Sequence, residues 1–432
     1  MSGHHIVIAG GGCVGMYTAL ELQKRLRPDE ARITVVDPRS AMTYQPFLPE
    51  AAAGSLEPRH VVVPLRKTLD GCEVITARVT SINHAARTLR VEPVEKTPYD
   101  LSYDELVVAL GSVARTLPIP GLAEHGTGFK QIEEAISLRN SVLDRLDAAA
   151  SVQDAATRDK ALTFLFVGGG YAGVEALAEI EDMARFATRY YQTIGEESLR
   201  FVLVEAADRI LPEVGPDLGR YTVDRLTERG IEVRLNTRLV SCVDRHVVLS
   251  DGEEFGADTI VWTAGVKANP VLAVSDLPLD EKGRVKTLAT LQVSGVDSAW
   301  AAGDNAAVPD LTAAPGQFCS PSAQHAVRQA KVLADNLVRS LHGEPVRDYE
   351  HKHAGSVASL GLYKGVAQVY GVKLRGYPAW FMHRTYHMSR MPTLNKKVRV
   401  VLDWTLALFF RRDVVSLGSL QRPRDDFRRA AE

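Results

Sequence analysis

Cysteine is scarce in this chain: Cys13, Cys72, Cys242 and Cys319 are the only four in 432 residues. No two form a CxxC pair, and their spacing suits neither a zinc site nor a dithiol redox motif. They read as reduced thiols of a cytosolic protein. Charge of one sign is also lacking. The 51 Lys and Arg stand against 53 Asp and Glu, a formal net charge of -2, and nothing in that balance points to nucleic acid. No apolar run reaches the ~20 residues that a membrane span needs. The N-terminal apolar stretch reads as a strand, not a secretory signal. What remains is an ordinary globular composition, 45% hydrophobic and 24% charged, long enough for two or three domains.

The most informative stretch is the first. His5-Ile6-Val7-Ile8-Ala9 reads as a buried strand and runs into Gly10-Gly11-Gly12-Cys13-Val14-Gly15. A helical pattern follows, and then a second strand, Arg32-Ile33-Thr34-Val35-Val36, ends on Asp37 and continues into Pro38 and Arg39. Strand, Gly-x-Gly-x-x-Gly, helix and acid in that order form a dinucleotide-binding fingerprint. Gly10 makes the tight turn, Gly12 lets backbone N–H groups approach a pyrophosphate, and Gly15 lets helix pack on strand. The helix N-terminus draws the negative charge, and Asp37 is placed to accept from a ribose diol.

The pattern then repeats. Leu162–Val167 reads as a strand, Gly168-Gly169-Gly170-Tyr171-Ala172-Gly173 as the turn, 174–192 as a helix and 200–205 as a strand ending in Glu205. The alternative is a degenerate structural copy. Two working units would hold two dinucleotides, as a flavoprotein reduced by a nicotinamide coenzyme requires. Glu205 would accept from the adenosine ribose and repel a 2′-phosphate, favouring NADH over NADPH.

Other stretches fall around these two turns. Tyr44–Gly54 is a Pro-punctuated loop whose Gln45 and aromatic groups could wall a bound ring. Val79 lies in a strand expected to pass near the adenine. A buried strand running through Ala109 stops at Gly111. Strands over 231–262 end at Ala264-Gly265. From Ala299 the chain returns to the first domain, and Gly303-Asp304 could set a carboxylate against a ribityl or phosphate hydroxyl; an ordinary helix N-cap is the alternative. Helix 320–340 carries Ala323, Gln324 and Gln329. Segment 396–412 is apolar with basic flanks, as in a helix lying in the headgroup plane; a helix at a dimer interface or against the core is the other reading.

Taken together, the two turns, the Tyr44–Gly54 loop, the Leu106–Gly111 strand, Ala264-Gly265, Gly303-Asp304 and the AQxAxxQ pattern at Ala323–Gln329 resemble the type II NADH dehydrogenases, the single-chain NADH:quinone oxidoreductases. The resemblance covers nearly the whole chain. Two departures stand out: Gly-Gly-Gly-Cys-Val-Gly at the first turn, and Tyr171-Ala172 where many relatives have Pro-Thr.

The resemblance implies an α/β fold. Two Rossmann-like, three-layer dinucleotide-binding domains are expected, the second inserted in the first, with a C-terminal amphipathic helical membrane-association region. The expected boundaries are 1–115 and 286–345 for an FAD-binding domain, 116–285 for an NADH-binding domain, and 346–432 for the quinone and membrane region. It further implies FAD and NADH as cofactors and no metal. Quinone, menaquinone or ubiquinone, would be reduced to quinol without proton pumping. A homodimer on the cytoplasmic face of the cell membrane is expected, as a peripheral member of the respiratory chain. Gln324 would donate to a quinone carbonyl and Gln329 would line the entry. Glu175 resembles the family's proton-handling glutamate, although a carboxylate held by the helix dipole is also open. Lys364 could polarise a carbonyl or be a solvated surface lysine.

Two neighbouring chemistries fit less well. A disulfide reductase needs a cysteine pair after the first helix, and 38–50 contain none. A sulfide:quinone oxidoreductase needs a second cysteine to partner Cys319, and 150–200 contain none. A reductase serving a protein carrier, with 396–412 as the docking face, stays open.

Overall fold

The computed structural model describes residues 3–352, 355–410 and 412–416. Two compact units divide the chain. The first contains 3–43, Val62–Val113 and 266–352; the second contains Tyr44–Val61, Ala114–Gly265 and the described residues beyond 354.

The first unit is built on a seven-stranded sheet. Its order is Ala299–Ala301, Glu105–Val108, His4–Ala9, Ala31–Asp37, Glu73–Asn83, Thr88–Pro93, Tyr99–Ser102. The first five strands pair in parallel and the last two antiparallel. The parallel strands read as continuous apolar runs because both faces are covered: Ile6, Val7, Ile8, Val35, Leu106 and Val107 are all fully buried. Trp300 fills the edge and donates its indole N–H to Glu105 at 2.8 Å. The strand returning at Ala299 aligns Ala299 with Leu106, so the chain does come back to the first sheet.

The second unit carries a five-stranded parallel sheet ordered Gly126–Gly128, Thr259–Trp262, Thr163–Val167, Arg200–Val204, Ile231–Arg234. Its core stacks Phe164 on Phe201, ring centroids 4.8 Å apart. In each unit the strand before the glycine turn is central, with neighbours added on both sides. That is the switch point at which open α/β sheets bind ligands.

Some boundaries differ from those expected from sequence. Tyr44–Val61, expected within 1–115, clusters with the second unit. Leu48, Ala52 and Ala53 share a hydrophobic core with Phe164, Leu177 and Leu203. The described residues after 354 do likewise: a three-stranded antiparallel sheet of Gly355–Ser359, Gly365–Val369 and Val372–Arg375 precedes the helix Tyr377–Arg390. The second-turn helix is Tyr171–Thr188, and closing turns at Tyr190 and Tyr191 end it before 192.

The C-terminal helix is Leu394–Phe409, capped by the Thr393 side chain. Asp403, inside the apolar run, anchors the helix. His60 Nδ1 lies 2.6 Å from the Asp403 carboxylate and the Glu57 N–H donates to it at 3.1 Å. Among the helix's residues only Val400 is buried, while Leu394, Leu402, Leu406, Leu408 and Phe409 are exposed. Residues 353–354, 411 and 417–432 of the expected C-terminal region lie outside the described residues.

Candidate functional site

In the first unit the three fingerprint glycines meet different constraints. Gly10 has φ +109, and a Cβ there would sit 2.3 Å from the Ala109 carbonyl oxygen. A Cβ on Gly15 would sit 1.8 Å from the Gly10 carbonyl oxygen. Both are required by the protein itself. A Cβ on Gly12 would meet nothing within 4 Å. Glycine there leaves room for something the protein does not fill, at the N-cap of the helix Cys13–Arg25, where backbone N–H groups attract an anion. Asp37 accepts the Gly11 N–H at 2.8 Å and the Arg39 N–H at 2.7 Å. Burial raises its pKa, while those two N–H groups pull the other way. Pro38 and Arg39 are exposed beside it, and Val79 is buried in its strand.

The return segment closes on the same unit. Ser112 donates to Asp304 at 2.6 Å, and Asn305 accepts the Gly111 N–H at 2.8 Å while donating to the Val108 carbonyl at 3.1 Å. Gly303 has φ +74, and a Cβ there would meet Val14 at 2.7 Å. Its N–H donates to Gln329 Oε1 at 2.8 Å. Gln329 is buried and committed to this turn. Ala323 is exposed at the start of the helix Ala323–Leu341. Gln324, next to it, meets His351 Nε2 through its carboxamide oxygen at 3.2 Å. Burial, with Asp310 adding to it, pushes the Cys319 thiol up to about 11.

The second unit repeats the glycine logic. Gly168 has φ +118, a Cβ on Gly173 would lie 1.9 Å from the Gly168 carbonyl oxygen, and a Cβ on Gly170 would meet nothing within 4 Å. Glu205 accepts the Gly169 N–H at 2.5 Å and the Ala207 N–H at 2.8 Å. Thr263, just before Ala264, donates to the Val167 carbonyl at 3.0 Å. The Gly265 carbonyl accepts the Arg115 N–H at 3.1 Å. Tyr171 and Ala172 open the helix. Gln45 is exposed and donates to the Lys130 carbonyl at 3.2 Å. Lys364 is half-exposed, 3.6 Å from Asp182.

Behind the second turn lies a buried ionisable cluster. Glu175 and Glu179 stand four apart on one helix face, and both are buried, as are Glu50, His383 and Arg384. Glu175 Oε1 accepts the Ser359 N–H at 2.8 Å and lies 3.0 Å from His383 Nε2. Burial opposes charge on His383, but the Glu175 carboxylate outweighs it and the pKa is raised. The neighbouring His387 ring, 4.6 Å away by centroid, is held well below its ordinary value by burial and by the charge on His383. Glu50 Oε2 accepts Arg384 Nη2 at 2.7 Å and the Trp404 indole N–H at 2.8 Å. Glu179 receives the Ser359 hydroxyl at 3.2 Å, and burial, with the Glu50 carboxylate next in size, pushes it up to about 7. Of this cluster sequence reading identified Glu175 alone. The available signal was the acid pair at i and i+4 on the second fingerprint helix.

Among the described residues no group of three His, Cys, Asp or Glu is placed to hold a metal ion, and no helix is long and apolar enough to cross a membrane.

Comparison with known proteins gives a consistent result. The model of the pyridine nucleotide-disulphide oxidoreductase family matches residues 4–330. A type II NADH:quinone oxidoreductase of Staphylococcus epidermidis is 32% identical over 387 residues, 88% of this chain and 93% of that protein. Its namesake from Staphylococcus aureus is 30% identical over 385 residues, with the same coverage. NDH2 of Plasmodium falciparum, solved in complex with NADH, superposes with a TM-score of 0.88 at 18% identity, over 95% of this chain and 99% of that one. The sulfide:quinone oxidoreductase of Aquifex aeolicus superposes with a TM-score of 0.72 at 18% identity, over 95% and 96%. At such identities the two structures bear on the fold alone.

Proposed function

The chain belongs to the pyridine nucleotide-disulphide oxidoreductases and, among them, to the type II NADH:quinone oxidoreductases, and from that premise we propose that it oxidises NADH with FAD and reduces a membrane quinone to quinol. The observation that carries this reading is the pair of glycine turns. In each, a Cβ on two of the glycines would collide with the protein, while at the middle one it would enter open space at a helix N-terminus, where a phosphate would approach.

FAD fits the first unit. The Gly10–Gly15 turn, with Cys13 and Val14 in the first helical turn, would take its pyrophosphate. Asp37 would take the adenosine ribose, and Asp304, oriented by Ser112, a hydroxyl further along. A flavin held there supplies the two-electron step between a dihydronicotinamide and a quinone. NADH fits the second unit, with its pyrophosphate on Gly168–Gly173 and its ribose on Glu205. Ala206 and Ala207 offer no cation for a 2′-phosphate, so NADH is preferred.

For the quinone, Gln324, whose carboxamide oxygen lies 3.2 Å from His351 Nε2, is the amide that would donate to a carbonyl. The overall reaction, NADH + H⁺ + quinone → NAD⁺ + quinol, takes one proton from the medium, and Glu175 handles it. Cys319 is a protonated thiol at neutral pH, which disfavours the thiolate chemistry that sulfide oxidation needs.

The exposed apolar side of the helix Leu394–Phe409 is assigned to the cytoplasmic face of the cell membrane, where quinone resides. A homodimer contact is the other use of that face.

The test is steady-state NADH oxidation by the purified yellow protein with menaquinone and ubiquinone analogues. Quinol formation equal to NADH consumed supports the reading. NADH oxidation that no quinone accelerates overturns it.

A further inference from the structure

The buried cluster of the second unit holds more acid than its cations can match. Three carboxyl groups, Glu50, Glu175 and Glu179, face one permanent cation within the cluster, Arg384, and one imidazole that can be charged, His383; the Arg412 guanidinium also draws on Glu179, but burial and the Glu50 carboxylate outweigh it. Geometry assigns the partners. Arg384 is committed to Glu50 at 2.7 Å and His383 to Glu175 at 3.0 Å. Glu179 is left with a hydroxyl donor, Ser359, on one oxygen, while its Oε2 has no hydrogen-bond partner. Glu179 is 1% exposed, and an ionised carboxylate so placed costs several kcal/mol.

Other charged groups near Glu179 do not supply a partner. Asp182, on the same helix, adds negative charge and is itself bound to Arg229 at 2.9 Å. Arg412, from the chain after the C-terminal helix, points to the Ala53 carbonyl at 3.4 Å. Arg139, on the helix Ile132–Ser151, donates to the Asp413 carbonyl at 2.7 Å. Glu181 pairs with Arg185 and Arg229, away from the cluster. His387 faces His383 and stays neutral.

Ser359 touches both acids, each through a different atom. Its N–H donates to Glu175 and its hydroxyl contacts Glu179. A serine hydroxyl both donates and accepts, so a protonated Glu179 can give its O–H to the same oxygen.

We propose that Glu179 is a proton-holding residue acting through Glu175: it rests as the neutral acid, yields its proton toward the Glu175–His383 pair when quinone reduction draws on that pair, and regains one from the medium. Each cycle breaks an O–H bond on Glu179 and forms one on Glu175. No electrons move in that step, and a proton from water restores Glu179. The hydride of NADH brings both electrons and one of the two hydrogens of quinol; the other is the proton stored here. Glu179 touches no reacting atom and is a positioning residue for that proton. The proposal rests on the reading of the chain as a quinone reductase.

The experiment compares the holoenzyme with Glu179→Gln by infrared titration between about pH 5 and 9, reading the carbonyl stretch of a buried protonated carboxyl. In parallel, the NADH-reduced enzyme is mixed with a quinone analogue. We expect a carboxyl band in the parent that fades through neutral pH and is missing from Glu179→Gln. We also expect quinone-driven reoxidation slowed about tenfold or more in the variant, with the preceding reduction by NADH retaining its rate. Glu179→Asp restores both band and pH dependence, and serves if Glu179→Gln does not fold. A band that survives in Glu179→Gln, or equal slowing of both half-reactions, overturns the proposal. Should quinone fail to reoxidise the parent enzyme, the functional reading falls, and the infrared band still decides whether Glu179 is protonated.

Discussion

Glu205 accepts the backbone N–H of Gly169 at 2.5 Å. Asp37 takes the Gly11 N–H in the same way at 2.8 Å. Each acid ending a second strand is fixed by the turn that ends the first, so the acid and the glycine turn, the proposed ribose acceptor and phosphate cradle, form one rigid piece. We expect Glu205→Gln to keep this contact, lose the negative charge, and raise kcat/KM for NADPH relative to NADH by about tenfold, roughly 1.4 kcal/mol. Equal ratios in parent and variant would remove Glu205 from the ribose site.

Gly12→Ala and Gly170→Ala place a Cβ in open space, so both proteins should fold. The helix N-cap change costs at most about 1 kcal/mol. Gly12→Ala is expected to lose flavin during purification, and Gly170→Ala to keep its flavin and raise KM for NADH. Gly15→Ala, with a Cβ 1.8 Å from a carbonyl oxygen, should fail to fold. Absorbance of the bound flavin and thermal midpoints read all three. Full flavin content in Gly12→Ala would contradict the assignment of the first turn.

Glu50 neutralises a buried guanidinium. Glu50→Ala strands Arg384 between the rings of Trp380 and Trp404, 4.1 and 4.8 Å from their centroids. A loss of about 3–5 kcal/mol is expected, read as a lowered denaturant midpoint. A change under about 1 kcal/mol would mean that the arginine finds water or another acceptor.

Stability should fall on the alkaline side. The folded pKa of Glu179 is pushed up to about 7 from an ordinary 4.5, so through that window the folded state holds a proton that the unfolded chain has released. Stability from this source therefore declines as pH rises. His383 acts in the same direction. Its raised pKa contributes stability that is complete below the ordinary 6.5 and lost as pH rises past the folded value. Relative to Glu179→Gln, the parent should lose on the order of 3 kcal/mol between about pH 5 and 8. Parallel stability curves for parent and variant would contradict this.

The helix Leu394–Phe409 is tied down at Asp403 and Trp404 and leaves Leu402, Leu406 and Phe409 in solvent. Changing these three to Glu should leave the fold intact and abolish co-sedimentation with vesicles containing anionic lipid. Retained sedimentation places the membrane contact elsewhere, and a dimer-to-monomer shift without loss of sedimentation makes the face a homodimer contact.

Sequence reading reached what is local. Both glycine turns and their acids were legible because strand, turn and helix lie within one short stretch; the returning Ala299 strand was read from its Gly303-Asp304 ending, not from its distant partner Leu106. The Glu50, Glu179, His383 and Arg384 cluster was not, since its members come from distant parts of the chain and acquire meaning only when helices pack. Tyr44–Val61 was assigned to the first unit by chain proximity, yet its alanines and Leu48 fit a core built by the second. Gln329, five residues from Gln324 and off its ridge, is turned inward onto Gly303, a partner the sequence places far away. Asp403, a charge inside an apolar helix, is matched by His60, distant in sequence.

The most direct test is stopped-flow absorbance at the flavin band. The purified protein is mixed first with NADH under anaerobic conditions and then with a quinone analogue. We expect the band to bleach with one equivalent of NADH and to recover fully with one equivalent of quinone. A protein that carries no flavin, or a band that NADH leaves unchanged, would contradict the central claim that two dinucleotides act together on this chain.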